Sequence, residues 1–338
     1  MQKNNLNKMY SGKSILITGG TGSLGKALTK HIIENFKDLK RLVIFSRDEQ
    51  KQFKMAQEFP ESKYPFIRYF IGDVRDKERL IRAFKGVDYV IHAAAMKHIH
   101  IAEYNPDECV KTNINGAQNV IAASIESGVS SVVALSTDKA CSPINLYGAT
   151  KLTSDKLFVS ANQIKGDNPI KFSVVRYGNV MGSNGSVIPF FLKNVKNNIF
   201  PITHPEMTRF NITIQEGVDL VFFALKNALG GEIYIPKIPS YKILDVAKAI
   251  DENCEINLIG IRPGEKIHEE MISSSDSFNT YDIKDKFVIL PTYCEFTEDF
   301  IAKYSAIKVP EYFSYNSETN KDFETISSLR EKIRELDV

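Results

Sequence analysis

The chain has 338 residues, 43% hydrophobic and 25% charged, which is enough to bury a large core and allows about two domains. With 43 Lys and Arg against 41 Asp and Glu, its formal net charge is +2. A balance so close to neutral gives no overall field to attract nucleic acid or an anionic membrane, so any basic site must be local.

The N-terminal segment 1–13 is polar and lacks the apolar stretch of a signal peptide. No later segment approaches the ~20 apolar residues of a membrane span, so we expect a cytoplasmic protein without a membrane partner. The 4 cysteines are scattered without metal-ligand spacing, which is typical of free thiols in a reducing compartment. His98 and His100 lack a third ligand at a useful spacing, and no metal site is predicted.

Short β-branched segments alternate with amphipathic segments through the first half of the chain. This alternation predicts βαβ units and therefore an α/β fold with a Rossmann-like, doubly wound parallel sheet. Because crossovers are right-handed, the carboxyl ends of the strands should meet at one edge, where ligands of such sheets bind. The predicted strands are 14–18, 41–45, 67–71, 88–92, 132–136 and 172–176.

Beyond Gly178 the alternation gives way to short helical stretches between Gly- and Pro-rich segments. This change predicts a smaller, interleaved C-terminal substrate-binding lobe, with a helix in its polar tail over 323–336. The predicted domains are the Rossmann-like domain over 1–178, with later segments from about 212–236, and a substrate-binding lobe and tail over 179–211 and 237–338.

A glycine-rich segment, Thr18-Gly-Gly-Thr-Gly-Ser-Leu-Gly25, follows the first predicted strand and opens a helix. Glycines there let the backbone turn tightly and approach a pyrophosphate, while the helix N-terminus offers free N–H groups to the anion. A plain Gly-rich turn is the alternative, but the position between strand and helix favours a dinucleotide. The predicted contacts are Gly19, Thr21, Gly22, Ser23, Leu24 and Gly25.

The end of the second predicted strand bears on the choice between NAD and NADP. An acidic side chain there accepts from a ribose 2′-hydroxyl, whereas Arg beside Ser suits a 2′-phosphate. Arg47 comes first, so we predict NADP; Asp48 keeps NAD open, and a solvated helix start is the alternative for Arg47 and Lys51. The remaining predicted cofactor residues are Ser46, Glu49, Asp73 and Val74 near the adenine, Ala93, Lys97, Thr112 and Asn113.

The fifth predicted strand ends at Ser136-Thr-Asp-Lys139, and Tyr147 and Lys151 follow at a spacing of four residues. Residues four apart share one face of a helix. An ammonium beside a phenol favours the phenolate, so this pair predicts a base that works near neutral pH, with Thr137 assisting. Tyr147 and Lys151 are also expected to border the cofactor.

The glycine motif, the strand-end Thr and the Tyr–Lys pair together resemble the extended short-chain dehydrogenases/reductases. Within this family, the chain is similar over almost its whole length to the inverting UDP-N-acetylglucosamine 4,6-dehydratases of pseudaminic acid synthesis. The similarity is carried by segments such as Ala94-Ala-Met-Lys-His98, Leu135-Ser-Thr-Asp-Lys-Ala140, Val175-Arg-Tyr-Gly-Asn-Val180 and Gly260-Ile-Arg-Pro-Gly-Glu-Lys266.

The resemblance implies that Asp138 and Lys139 are the extra acid and base that expel water across carbons 5 and 6 of the sugar. Lys139 is the candidate base at carbon 5 and Asp138 the candidate acid at the 6-hydroxyl, although the division of labour among Asp138, Lys139 and Tyr147 stays open. A Lys must be neutral to act as a base, so burial would have to lower its pKa. A helix-capping Asp beside a surface Lys is the structural alternative.

The resemblance also implies the substrate contacts, and it implies assembly into a homo-oligomer. Arg262 suits a diphosphate and Glu265 suits ribose hydroxyls, although Arg-Pro-Gly-Glu alone would more often be a turn. The product would enter flagellin or a surface polysaccharide. The implied contacts for UDP-N-acetylglucosamine are Lys97, Asn179, Asn184, Gly185, Ser186, Val187, Ile188, Thr203, Arg262 and Glu265.

Two other functions compete with a dehydratase. A nucleotide-sugar 4-epimerase needs only the strand-end Thr and the Tyr–Lys pair, which would leave Asp138 and Lys139 without a task. A non-catalytic NADP-sensing protein on the same fold dispenses with the Tyr–Lys pair, so Tyr147 and Lys151 count against it.

Overall fold

The computed structural model describes residues 8–183, 185–194 and 199–336. The chain divides into two compact units, and the second takes in Thr137–Ala149, a segment that the sequence analysis put in the Rossmann-like domain. The domain assignment itself stays a prediction. The first unit is Met1–Ser136, Thr150–Val175 and Val218–Tyr234, and the second is Thr137–Ala149, Arg176–Gly217 and Ile235–Val338.

The first unit is built on a parallel β-sheet. Its strand Ser14–Thr18 is buried at every position and pairs in parallel with Arg41–Ser46 on one side and Tyr89–His92 on the other. Successive strands are thus added first to one side of Ser14–Thr18 and then to the other, which is the doubly wound arrangement that the sequence predicts. The spatial order is Ile67–Ile71, Arg41–Ser46, Ser14–Thr18, Tyr89–His92, Ser131–Leu135, Lys171–Val175 and Ile233–Pro236.

Helices connect these strands, and two of them begin at an aspartate that caps the first turn. Asp48 accepts a hydrogen bond from the backbone N–H of Lys51 at 3.0 Å, and Asp76 accepts one from Arg79 at 2.9 Å. The helices wholly or mainly in this unit are Ser23–Asn35, Glu49–Glu58, Lys77–Phe84, Ile99–Tyr104, Pro106–Val110, Lys111–Asn115 (a π-helix), Gly116–Glu126, Leu146–Ile164 and Ile214–Asn227.

The second unit contains short strands in several small pairings. Thr208–Ile212 pairs antiparallel with Ser240–Lys242 and parallel with Asn179–Val180. The other pairings are Ile199–Ile202 with Glu255–Leu258, Glu270–Ile272 with Tyr315–Asn316, and Thr280–Asp282 with both Lys286–Ile289 and Ile307–Lys308. Its helices are the 3₁₀ turns Asp138–Ala140 and Asp276–Asn279, and Val187–Asn194, Ile243–Ile250, Thr297–Tyr304 and Ile326–Arg334.

A hydrophobic cluster forms the core of this unit, where Leu329 and Ile333 of the last helix pack with Val246 and Phe200. The helix predicted over 323–336 is present but begins at Ile326, because Thr325 accepts from the N–H of Ser328 and caps it. Among the helices of the described ranges, none is long and apolar enough to cross a membrane.

Candidate active site

The glycine-rich turn of the first unit has no room for side chains. Gly19 has a φ of +65°, and a Cβ added to it would lie 2.8 Å from the backbone N of Ala94. A Cβ on Gly25 would lie 2.3 Å from the carbonyl oxygen of Gly20. Helix Ser23–Asn35 begins directly after the turn, and no side chain caps its N-terminus. Bare backbone and a free helix N-terminus fit a pyrophosphate, with Thr21 in the turn and Ser23 and Leu24 in the first turn of the helix.

The next strand end presents one cation and one engaged carboxylate. Arg47 is 61% exposed, and its guanidinium lies 4.0 Å from the Asp73 carboxylate. Asp48 caps its helix, and the backbone N–H of Lys51 is the main cause that lowers the pKa of Asp48. Because this carboxylate already accepts hydrogen bonds, it is less available to a ribose hydroxyl than Arg47 is to a phosphate. Ser46 is buried, and Gln52 donates to its hydroxyl at 3.1 Å.

Further predicted cofactor residues lie along the carboxyl edge of the same sheet. Burial raises the pKa of Asp73, but hydrogen bonds from Arg75 outweigh burial and lower this pKa overall. The Asn113 side chain holds the segment after strand Tyr89–His92 through two hydrogen bonds to Met96. It accepts from the backbone N–H of Met96 at 2.8 Å and donates to the carbonyl of Met96 at 3.0 Å. The Oγ1 of Thr112 is buried and has no hydrogen-bond partner in the described part of the chain.

Helix Leu146–Ile164 carries Tyr147 and Lys151 one turn apart. Tyr147 is 8% exposed and Lys151 is 4% exposed. The Lys151 ammonium donates to the carbonyl of Leu135 at 2.6 Å. Burial lowers the pKa of Lys151, while the Asp155 carboxylate opposes the shift. A buried cation of this kind is the partner that a phenolate needs.

The turn Asp138–Ala140 packs against the first turn of that helix. A Cβ on Gly148 would lie 2.2 Å from the carbonyl oxygen of Lys139, so only glycine permits this approach. The backbone N–H of Asp138 donates to the carbonyl of Tyr177 at 3.1 Å. The pKa of Tyr177 is raised by burial and, to a smaller extent, by Tyr147. The second unit therefore brings Asp138 and Tyr147 to the same part of the fold.

Asp138 and Lys139 are neither a plain helix cap nor a surface lysine. Asp138 is 1% exposed, and its Oδ1 accepts from Thr137 Oγ1 at 2.8 Å and from Lys139 Nζ at 3.1 Å. Lys139 Nζ also lies 2.9 Å from Glu269 Oε1, and Arg209 Nε lies 3.7 Å from the same oxygen. Burial lowers the pKa of Lys139, but the two carboxylates outweigh burial and raise it overall. Lys139 is consequently an ammonium here, opposite to the lowered pKa that a lysine base requires.

Glu269 and Arg209 are site residues that the sequence analysis missed. Glu269 is 2% exposed and Arg209 is 8% exposed. Neither belongs to a spacing that predicts chemistry, and Glu269 follows a stretch that was interpreted only for its Arg-Pro-Gly-Glu turn. The sequence alone does not show that these two residues are buried or which charged residue pairs with each of them.

Three of the predicted substrate residues have polar atoms for which the described part of the chain supplies no hydrogen-bond partner. Asn179 Oδ1, Ser186 Oγ and Glu265 Oε2 are buried without a hydrogen-bond partner in the described ranges. Orphaned buried polar atoms are rare, and a polar ligand would satisfy them. Arg262 is 60% exposed and 3.7 Å from Glu265.

The other predicted substrate residues vary in position. Ile188 is 2% exposed and packs in the hydrophobic cluster of the second unit, with Val187 at its edge. Gly185 precedes helix Val187–Asn194, and Thr203 follows strand Ile199–Ile202. Lys97 is an exposed residue of the first unit, and Asn184 lies outside the described residues. Within those residues, no group of His, Cys, Asp and Glu could hold a metal ion.

Comparison with known sequences gives one family match and several close relatives. The family model described as polysaccharide biosynthesis protein matches residues 15–291. A Campylobacter jejuni protein named UDP-N-acetylglucosamine 4,6-dehydratase (inverting) is 55% identical over 319 residues, covering 92% of this chain and 94% of the relative. A Rickettsia conorii protein named UDP-glucose 4-epimerase is 40% identical over 288 residues, covering 83% and 84%.

A solved structure is also similar over nearly the full length. The X-ray structure of Pen from Bacillus thuringiensis matches with a TM-score of 0.87 and 38% identity, covering 97% of this chain and 99% of that one. The Rossmann-like fold predicted from the sequence is confirmed, as is the resemblance to the extended short-chain dehydrogenases/reductases.

Proposed function

The chain belongs to the family described as polysaccharide biosynthesis protein, within the extended short-chain dehydrogenases/reductases, and we propose that it is a UDP-N-acetylglucosamine 4,6-dehydratase that inverts carbon 5. The observation that carries the proposal is the ion pair of buried Asp138 with Lys139, whose charged atoms lie 3.1 Å apart in the part of the fold that holds Tyr147. A dehydratase needs this second acid–base pair, and the Campylobacter relative named for the reaction supports it.

NADP is the proposed cofactor, and the first unit fits it. The bare glycine turn suits the pyrophosphate, and exposed Arg47 suits a 2′-phosphate, while Asp48 is engaged as a cap. Bound NADP⁺ supplies a hydride acceptor for carbon 4 that becomes the hydride donor for carbon 6.

Tyr147 is the proposed base that takes the proton of the 4-hydroxyl. Lys151 stabilises the phenolate through its buried ammonium, and Thr137 orients the reacting groups from the end of the fifth strand. Once carbon 4 is a ketone, the proton on carbon 5 becomes acidic. Asp138 and Lys139 then divide the elimination, one taking the carbon 5 proton and the other protonating the departing 6-hydroxyl.

The sugar nucleotide is proposed to bind through the orphaned polar atoms of the second unit. Asn179, Ser186 and Glu265 each present an atom that can accept from, or donate to, a sugar or ribose hydroxyl. Exposed Arg262 suits the diphosphate. We extend the proposal to the remaining contacts named from the sequence, including Lys97, Asn184, Gly185, Val187, Ile188 and Thr203.

The 4-epimerase is the competing function, and the Rickettsia conorii relative gives it some weight. An epimerase returns the hydride to carbon 4 and has no use for a second acid–base pair. The burial of Asp138 and its direct contact with Lys139 favour elimination. We further propose that the enzyme works in the cytoplasm as a homo-oligomer, and that its product leads to pseudaminic acid for flagellin or a surface polysaccharide.

Proton NMR of the purified protein with UDP-N-acetylglucosamine in heavy water, with only catalytic NADP⁺, tests this function. We expect a 4-keto-6-deoxy product carrying deuterium at an inverted carbon 5, without net consumption of the cofactor. A galacto epimer would establish the competing function instead, and unchanged substrate would contradict both.

A further inference from the structure

The charged groups around Lys139 form a paired set, and the proposed function does not yet explain two of its members, Glu269 and Arg209. Two carboxylates, Asp138 and Glu269, and two cations, Lys139 and Arg209, contact one another, so the set is neutral when all four are ionised. The Tyr241 phenol also faces this set, and its pKa is raised to about 12, chiefly by burial, so it stays neutral. Four paired ionised groups have no electrostatic reason to exchange a proton at rest.

We infer that Glu269 is a positioning residue of the elimination step. Together with Asp138 it holds Lys139 as an ammonium, so that Lys139 gives a proton to the departing 6-hydroxyl while Asp138 takes the proton of carbon 5. This inference rests on the proposed function, because it assigns the roles within that reaction.

The geometry supports this division of roles. Lys139 Nζ is held between Asp138 Oδ1 at 3.1 Å and Glu269 Oε1 at 2.9 Å, and an ammonium has protons to give and no lone pair to accept one. Asp138 Oδ2 is buried and accepts no hydrogen bond in the described part of the chain, so this oxygen keeps its lone pairs available for a proton. Each group therefore enters the reaction in the form that its role requires.

The protons balance over a full turnover. The carbon 5 proton passes to Asp138 as the bond between carbon 6 and its oxygen breaks, and the Lys139 ammonium protonates that oxygen, which leaves as water. Asp138 then returns a proton to Lys139 across their direct contact, which restores the ion pair. Tyr147, which took the proton of the 4-hydroxyl, gives it to carbon 5 as the hydride arrives at carbon 6. Delivery from a different group allows carbon 5 to invert.

Glu269→Gln tests the inference because it keeps the size of the side chain and removes its charge. Without this carboxylate the set carries one net positive charge, so Lys139 should lose its proton about 1–3 pH units lower. The alkaline limb of kcat should move down by the same interval. Glu269→Asp, which keeps the charge, should restore most of the alkaline activity. Glu270→Gln is the matched control, since Glu270 accepts from Ser142 and Ser314 instead.

A readout without substrate separates this inference from the proposed function. NMR titration of protein with ¹³Cε-labelled lysine, with the Lys139 signal assigned by its absence in Lys139→Arg, follows the protonation of Lys139 directly. We expect the pKa of Lys139 to be lower in Glu269→Gln than in wild type and unchanged in Glu270→Gln. An unchanged pKa of Lys139 in Glu269→Gln would overturn the inference. A kcat–pH profile of Glu269→Gln whose acid limb moves to lower pH, with higher turnover at neutral pH than wild type, would also overturn it. If wild-type protein gave no dehydrated product, the proposed function would fail. The titration would still show whether Glu269 keeps Lys139 protonated.

Discussion

At the scale of single residues, the phenol of Tyr147 is the group on which catalysis depends most directly. Tyr147→Phe removes the oxygen that takes the 4-hydroxyl proton, and loss of a general base lowers turnover about 10²–10⁴-fold. Because the ring and its buried packing remain, affinity for NADP⁺ should change little. Turnover measured by NMR, with cofactor affinity by calorimetry, checks both parts. Full turnover in Tyr147→Phe would exclude Tyr147 as the base.

Arg47 should decide which dinucleotide the chain prefers. Its guanidinium is exposed at the end of strand Arg41–Ser46, where a 2′-phosphate would form charge-assisted bonds. Arg47→Ala should weaken NADP⁺ binding about 10–100-fold and leave NAD⁺ binding nearly unchanged, as expected for a lost hydrogen bond to a charged group. Lys54→Ala, an exposed cation on helix Glu49–Glu58, is the control. An equal loss of affinity for NADP⁺ and NAD⁺ would show that Arg47 does not bind the 2′-phosphate.

The candidate site was predictable from sequence only where its residues are close along the chain. Tyr147 and Lys151 form a local helical pair whose spacing indicates their chemistry. Thr137 to Lys139 follow a strand end, and the family resemblance implies the roles of Asp138 and Lys139. Glu269 contacts Lys139 across 130 residues, 269 minus 139, and no local pattern encodes such a pairing. Asp138 and this distant carboxylate together raise the pKa of Lys139, so the sequence could name the residue but not the second carboxylate that acts on it.

At the scale of elements, the junction between the first strand and its helix has the tightest steric limits. A Cβ on Gly25 would meet the carbonyl oxygen of Gly20 at 2.3 Å, so Gly25→Ala must displace backbone. We expect a loss of unfolding free energy of about 1–3 kcal/mol, typical of overpacking, together with weaker dinucleotide binding. Urea denaturation of the cofactor-free protein measures the first effect. In Gly22→Ala the nearest atom is 3.4 Å away, so stability should stay close to wild type; equal losses in the two variants would contradict the steric argument.

The elements of the two units differ in how well sequence predicts them. In the first unit, strands such as Ser14–Thr18 are continuous apolar segments between amphipathic helices, so one pattern repeats. The second unit has strands of two to five residues, such as Asn179–Val180, which are too short for a periodic signal. Their pairing depends on partners distant in sequence, and the capped helix Ile326–Arg334 is the exception because its start signal is local.

At the scale of the whole molecule, a net charge of +2 conceals charges that are arranged in local, compensating groups. The set of buried Asp138, Arg209 and Glu269 with the partly exposed Lys139 is one such group. His92 is a different case, because it is buried and stays neutral. A group of that kind makes the free energy of unfolding depend on pH without any change in the folded contacts at neutral pH.

His92 is 2% exposed, with its Nδ1 2.8 Å from Thr18 Oγ1, and burial, together with the Lys151 ammonium, lowers its pKa from 6.5 to about 3. Between these two values the unfolded chain binds a proton that the folded protein does not. This contribution to stability is therefore complete above about pH 6.5 and is lost as the pH falls toward 3.

At pH 5 the loss from His92 amounts to about 2 kcal/mol, at 1.36 kcal/mol for each pKa unit. His92→Asn keeps a polar atom near Thr18 Oγ1 and removes the titration. Its unfolding free energy should fall by about 2 kcal/mol less than that of wild type between pH 7 and pH 5, measured by urea denaturation. Exposed His100, changed to Asn, should leave the wild-type pH dependence intact. If His92→Asn kept the full acid loss, the acid sensitivity of the protein would have to come from groups other than this buried imidazole.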